Sequence, residues 1–331
     1  MKLLILGGTA WLGRTAAATA IALGHDVTCV ARGSDVPAGA VLVRADRDQD
    51  DSLASVTSER WDAVIDVSRQ PGQVRRAVRD LEPVAERYVF VSSGNVYASQ
   101  EALGRDEDSP LLDPLDSDVM ASMDDYGAAK VACENAVRAG FGSERAVIAR
   151  AGLIGGPGDA TGRSGYWPWR FAHPVGDDGA VLVPDAPDLP TAIIDVRDVA
   201  DWLVRRAEGG AAGTFNVMGS SIPFPEHLDA ARIAAGHDGP VVRAPESWLT
   251  DHGVAQWSGP RSMPLWLADR SWYGMNARST ERAFAAGLVV RPLSDTLADS
   301  LAWENSRADA GPHGAGLSDS EERALLASYL R

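Results

Sequence analysis

Only two cysteines, Cys29 and Cys133, occur in 331 residues. That is too few for a disulfide framework or a cysteine-rich metal site, and each falls in an apolar or helical stretch that suits a buried thiol. Basic residues are also in deficit: 31 Lys and Arg face 46 Asp and Glu, for a formal charge of -15. Such a balance disfavours nonspecific attraction to nucleic acid or anionic membrane, although it permits a local basic pocket. A long hydrophobic run is missing too. The apolar start is interrupted at Gly7-Gly8 and carries no signal-peptide cleavage pattern, so it reads as a buried strand and the protein as cytoplasmic. No internal repeat is present. What remains, 45% hydrophobic and 23% charged residues, suits one large α/β domain with a smaller lobe.

The organising stretch is KLLILGGTAWLGR, Lys2 to Arg14. Leu3 to Leu6 read as a strand covered on both faces, Trp11 to Leu23 as a helix that stops at Gly24, and Val27 to Ala31 as a second strand. This is a βαβ unit. Its first turn offers backbone N–H groups and a positive helix end to an anion, which suits a dinucleotide pyrophosphate. Gly7, Gly8, Thr9, Ala10, Trp11, Leu12 and Gly13 are the candidate contacts. Gly7 serves the tight turn and Gly13 the close helix–strand approach, while Ala10 stands where a middle glycine is common.

The second strand ends without a carboxylate. In place of an acidic partner for the adenosine ribose, Arg32 follows Ala31, and a guanidinium suits the extra phosphate of NADP; NADP(H) is therefore preferred and NAD(H) possible. Arg14 could assist. Val41 to Ala45 reads as a third strand and leads into Asp46-Arg47-Asp48, followed by an acidic helical region. Asp62 to Val67 and Tyr88 to Val91 read as further strands, with a surface helix over Pro71 to Ala85 between them. Sustained alternation predicts a Rossmann-type doubly wound parallel sheet with its ligand crevice at the strands' carboxyl ends.

Two constellations fall at that crevice. Ser92-Ser93-Gly94-Asn95 leaves the fifth strand, and Tyr126-Gly127-Ala128-Ala129-Lys130 opens a helix running to about Ala139. A spacing of four puts Tyr126 and Lys130 on one face. A nearby ammonium favours phenolate, so Tyr126 becomes a candidate general acid or base, with Ser93 holding the reacting oxygen and Lys130 also reaching the nicotinamide ribose.

These residues resemble the extended short-chain dehydrogenase/reductases, also called the NAD-dependent epimerase/dehydratase family. The resemblance runs through GGTAWLG, YVFVSSGNVYA, YGAAK, ARAGLIGGPGD, IIDVRDVADWL, GTFNVMG and the closing ARSTERAFAAGLVVRPLSDTLADSLAW. It implies a catalytic Ser93, Tyr126 and Lys130, and cofactor contacts from Asp46, Arg47, Ser68 and the backbone at Ala151, Gly152 and Leu153. It also implies a homodimer through the helix carrying Tyr126 and Lys130. Ala10 is typical of divergent, GGT-type members. The asparagine that commonly contacts a sugar nucleotide after the sixth strand is missing from Arg150-Ala151-Gly152-Leu153-Ile154, which argues against such a substrate. Asp198 reads as a helix cap before Val199.

Residues 1–158 and about 191–222 are expected to form the dinucleotide domain, with about 159–190 and 223–331 forming the lobe. Six tryptophans within Asp159 to Pro190 and Pro223 to Arg282 suggest an aromatic substrate wall or simple packing; Asn95, Trp167 and Trp169 are the candidate substrate contacts. Arg163, Arg170, Arg261, Arg270 and His173 are available to read an anion. The acidic loop from Glu101 to Asp124 reads as a flap or a plain connector. The expected activity is NADPH-dependent reduction of a carbonyl, or the reverse oxidation, on a small metabolite. The alternatives are an epimerase or dehydratase recycling tightly bound NAD, and a non-catalytic NADP-binding sensor or scaffold.

Overall fold

The computed structural model describes residues 1–176, 178–312 and 314–330. The chain opens with β1 (Lys2–Leu6), α1 (Trp11–Ala22), β2 (Asp26–Ala31) and β3 (Val41–Arg44). Then come β4 (Ala63–Asp66), α2 (Pro71–Leu81), β5 (Tyr88–Ser93), α3 (Tyr126–Arg145) and β6 (Ala146–Ala151). A seventh sheet strand, Gly213–Val217, completes the order Gly213–Val217, β6, β5, β4, β1, β2, β3, with every pairing parallel. The strand sequence reverses between β1 and β4, so the crevice opens there, at the carboxyl ends.

Apolar strands separate two helical layers. Leu3, Ile5, Ala63, Val89 and Val147 meet α1 and the helix Val196–Glu208, while Leu4, Leu6, Val64, Tyr88 and Phe90 meet α2 and α3. Each β1 residue thus serves one layer or the other, as period-two alternation in a doubly covered strand requires. A third core fills the lobe, with Trp167, Phe171, Leu182, Phe224, Leu265 and Leu326 among its buried members. No helix among the described residues is long and apolar enough to cross a membrane.

Several expectations shift. The acidic region after β3 forms successive turns instead of a helix: Ala54 N–H donates to Asp51 O at 3.0 Å and Val56 N–H to Leu53 O at 2.9 Å. Its Asp, Ser and Thr side chains compete with helical hydrogen bonding, as such residues do. α3 runs past Ala139 to Arg145, with a break at Gly142, whose φ is 66°. Asp198 is not the cap. The helix begins at Val196, Asp195 accepts from Arg197 N–H at 2.9 Å, and Asp198 instead accepts from Arg291 N–H at 2.9 Å. Ala283 and Leu288 pack into the α1-side core, so that part of the C-terminal segment returns to the sheet instead of staying with the lobe.

The loop between β5 and α3 is pinned along its length. Leu112 N–H donates to Val96 O at 2.8 Å, Leu115 N–H to Ala128 O at 3.0 Å, and Gly72 N–H to Asp118 O at 2.9 Å. It straps α2 to the first turn of α3.

Candidate active site and dinucleotide cleft

A cleft of about 640 Å³ lies at the carboxyl edge of β1, β2 and β4, lined by Gly7, Thr9, Ala10, Ala31, Arg32, Gly33, Arg47, Asp48, Ser68, Arg69 and Gln70 among others. Gly7 has φ 92°, a left-handed conformation that β-carbon-bearing residues avoid. A Cβ on Gly13 would strike the Gly7 carbonyl oxygen. Strand end and helix start therefore touch backbone to backbone. The N–H groups of the first turn of α1 lack intrahelical acceptors and are free for an anion. Leu12 and Gly13 are buried and offer only backbone to such a ligand. The Trp11 side chain turns away from the turn and donates from Nε1 to Pro157 O at 2.9 Å.

The four polar candidates behave differently. Arg32 is exposed at the cleft wall and has neither an ion pair nor a hydrogen bond with any described residue. Arg14 pairs with Asp35 at 3.0 Å. Arg47 is buried and committed: it donates to Asp66 Oδ1 at 2.9 Å, Asp66 Oδ2 at 3.1 Å and Gln73 O at 2.9 Å, and also to Ser68 Oγ. Its Nε is buried without a partner. Asp66 additionally accepts from Ser68 N–H at 2.9 Å and Tyr88 O–H at 2.6 Å. Burial alone would raise the Asp66 pKa, but Arg47 and these donors outweigh it and hold the carboxyl below its ordinary value. Asp46 is exposed and accepts from Asp48 N–H at 3.2 Å; Asp48, not Asp46, reaches the cleft lining.

The second cluster sits beside the cleft, at the ends of β5 and β6. Ser93 lies opposite Ala151 in the parallel register, and its Oγ accepts from Asn95 N–H at 3.2 Å while capping the turn Gly94–Val96. A Cβ on Gly127 would collide with Asn95 O, so the start of α3 is pressed against that turn. Tyr126 is thereby brought to the Ser93 side of the sheet edge. Lys130 is 2% exposed. Its Nζ donates to Ser68 O at 2.6 Å and Val91 O at 2.7 Å, and lies 5.9 Å from the Tyr126 ring centroid. Ammonium burial is satisfied by two strand-end carbonyls, with one proton left over. Gly152 N–H donates to Val217 O at 3.0 Å, and Leu153 begins a short parallel pair with Ile193–Asp195.

Asn95 is exposed in a second cavity of about 520 Å³, together with Tyr97, Gln100, Leu112, Gly127 and Trp272. Trp167 must be withdrawn as a substrate wall. It is 0% exposed, and its Nε1 donates to Pro264 O at 2.8 Å inside the lobe core. Trp169 stacks on His173 at 3.7 Å and lines a cavity with Pro260, Gly311 and Asp319, away from Tyr126. Tyr166, Trp167 and Phe171 of the short helix Tyr166–Ala172 thus pack in the lobe core, while Trp169 faces that cavity.

A buried ion pair that sequence reading missed supports this edge. Arg150 donates to Glu134 at 2.9 and 2.8 Å, and Ser92 Oγ donates to the same carboxylate at 2.6 Å. The clue was present: Glu134 lies one helical turn after Lys130, on the face turned to the sheet.

Fold and cleft together define a doubly wound Rossmann-type α/β protein, with Ser93 at the end of β5 and Tyr126 and Lys130 on the helix that follows. Residues 3–217 match the model of the NAD dependent epimerase/dehydratase family, and the chain belongs to that family. Its fold is shared with UDP-N-acetylglucosamine 4-epimerase from Bacillus cereus, at 14% identity and TM-score 0.66, covering 94% of this chain and 98% of that one. It is shared likewise with UDP-glucose 4-epimerase from Bifidobacterium longum in complex with NAD⁺ and UDP, at 16% identity and TM-score 0.62, covering 93% and 99%. At these identities the likeness is one of fold. A stretch of 130 residues is 26% identical to the chloroplast stem-loop binding protein of 41 kDa b from Arabidopsis thaliana, covering 34% of each chain. The chain thus spans about a third of the length of that curated relative.

Proposed function

We propose that this chain is an NADP(H)-dependent oxidoreductase that interconverts a carbonyl and a secondary alcohol on a small metabolite, using Ser93, Tyr126 and Lys130. The observation that carries the cofactor choice is Arg32: a guanidinium with no partner among the described residues, on the cleft wall directly after a strand end that has no carboxylate. Arg69, also exposed and without an ion pair to any described residue, lies on the same wall. The glycine turn, whose Gly7 and Gly13 leave no room for a Cβ, fits a pyrophosphate, and the unpartnered Arg32 fits the additional phosphate. When bound, the nicotinamide supplies or accepts the hydride.

The chain's own groups do the rest. In reduction the Tyr126 hydroxyl gives its proton to the oxygen that becomes the alcohol, and Ser93 O–H donates a hydrogen bond to that oxygen. Lys130, already fixed by Ser68 O and Val91 O, has its remaining N–H for a ribose hydroxyl. Oxidation runs the same proton path in reverse. The same reading carries a cytoplasmic homodimer paired through α3.

Family membership favours a second reading, an epimerase or dehydratase in which hydride leaves and returns on one substrate. Denaturing extraction of nucleotide from freshly purified protein separates the two. Exchangeable NADP(H) is expected; tightly held, non-exchanging NAD⁺ would overturn the reductase reading and the role given to Arg32. A non-catalytic sensor is tested by Tyr126→Phe, discussed below.

A further inference from the structure

The sequence offers Arg163, Arg170, His173, Arg261 and Arg270 in the lobe as readers of an anion, and the structure separates these five. Arg170 is buried against Glu322 at 2.8 Å and Asp319 at 2.9 Å. Arg261 lies 3.6 Å from Glu321 and donates to His252 O, Arg270 lies 3.6 Å from Asp188, and His173 is stacked under Trp169. Of the four arginines among them, Arg163 alone has no carboxylate of a described residue within ion-pair distance.

Its surroundings hold it without neutralising it. Nε donates to Thr161 Oγ1 at 3.1 Å, and the two terminal nitrogens make no hydrogen bond to a described residue. The nearest acid, Asp159, is spent: Oδ1 accepts from Thr161 N–H at 3.0 Å and Thr161 O–H at 2.6 Å, while Oδ2 accepts from Ser164 N–H at 3.1 Å and Ser164 O–H at 2.7 Å. Trp257 faces the guanidinium, with its ring centroid 5.5 Å from the Arg163 Cζ. Trp257 has φ 70°, a left-handed conformation uncommon for a bulky residue and one that proteins retain where a side chain must be aimed. Arg261 at φ 50° and Leu265 at φ 68° continue that unusual backbone through the same segment. On its other side Arg163 lies within electrostatic reach of the Tyr126 phenol; burial lowers its pKa, opposed by Asp159 and by Tyr126.

We infer that Arg163, propped by Thr161 and faced by Trp257, is the substrate's anion reader, and that the molecule reduced or oxidised at Tyr126 carries a carboxylate or a phosphate. A planar fork with its terminal N–H groups unspent matches either group in bidentate fashion, and a half-buried guanidinium without an ion-paired carboxylate gains from a ligand that brings one. Trp257 adds a face against which the ligand's apolar part can lie. This inference rests on the proposed role of Tyr126.

The test titrates benzoate, phenyl phosphate and benzyl alcohol into the NADPH-loaded full chain while following tryptophan fluorescence, with Trp257→Phe locating the signal. Saturable binding of at least one anion, with Kd below ~10 mM, is expected, and none of the alcohol. Benzoate alone responding would name a carboxylate, phenyl phosphate alone a phosphate. Arg163→Met should weaken the anion at least ~10-fold, and Arg163→Lys should recover part of the loss, charge without the fork. Equal anion affinity in wild type and Arg163→Met, or no anion binding to wild type, overturns the inference. Retained NADPH binding by Arg163→Met shows that the variant is folded. Tyr126→Phe should bind the anion as wild type does while losing turnover, so failure of the catalytic reading and failure of the anion site give different results.

Discussion

Arginines in the two halves of the molecule divide in the same way, and the division separates architecture from chemistry. In the sheet domain Arg47 is buried against Asp66 while Arg32 stands unpartnered on the cleft wall. In the lobe Arg170 is buried against Glu322 while Arg163 has no carboxylate. Paired guanidiniums hold strand ends and helices together. Arg32 on the cleft wall and Arg163 facing Trp257 are left with terminal nitrogens that no described carboxylate takes up. Other arginines also lack an ion pair, so what sets these two apart is where they stand.

The comparison is broken most forcefully at the reacting centre. Tyr126→Phe removes the proton donor and leaves the aromatic packing, so turnover should fall by ~10²–10⁴ while NADPH affinity stays within about twofold, checked by steady-state kinetics and nucleotide titration. Full activity in this variant would take the proton-transfer role from Tyr126, whereas nucleotide binding without turnover in the wild type would return the chain to the sensor class. Among the paired arginines, Asp66→Ala leaves Arg47 buried without its partner and should cost about 3–5 kcal/mol of unfolding free energy, measured by urea denaturation. Arg32→Ala should cost almost nothing in stability. Its effect is expected in NADPH affinity, weakened ~10- to 100-fold with NADH affinity unchanged, the loss of one charge-assisted phosphate contact. Equal effects on both nucleotides would remove the phosphate from Arg32.

The lobe offers a pH test of its own. His227 is 1% exposed, and burial lowers its pKa from 6.5 to about 4. Between those values the unfolded chain binds a proton that the folded chain refuses, so His227 makes stability rise with pH from about 4 to 6.5. The loss on acidification approaches ~3 kcal/mol at the low end. His227→Gln should flatten that part of the stability profile, and an unchanged slope would assign the acid sensitivity elsewhere. The smallest predicted change concerns assembly. Arg75, Arg79 and Arg138 are all more than a third exposed, so the faces of α2 and α3 are polar, and a dimer paired there should weaken with rising salt in light scattering.

Legibility in the sequence followed the range of the forces involved. The strands, α1 and the Tyr126–Lys130 spacing were visible because local periodicity and glycine punctuation encode them. The turns after β3 were not, since their Asp and Ser content suits helix edges and turns equally. Asp198 was mistaken for a cap because Asp195, three residues earlier, offers the same chemistry. Arg47 does line the cleft, but its pairing with Asp66, distant in sequence, was not legible. Trp167 and Trp169 are indistinguishable from a substrate wall without knowing which side of their helix faces the lobe core.

Gly7 and Gly13 also set how far the nucleotide turn can drift. One is fixed by its backbone angle, the other by the carbonyl it touches. Ala10 has φ -75° and ψ 151°, ordinary extended values open to any residue. A randomised library across this turn should therefore return glycine at both ends and a mixture at the middle, so the missing middle glycine reflects a position the fold never reserved.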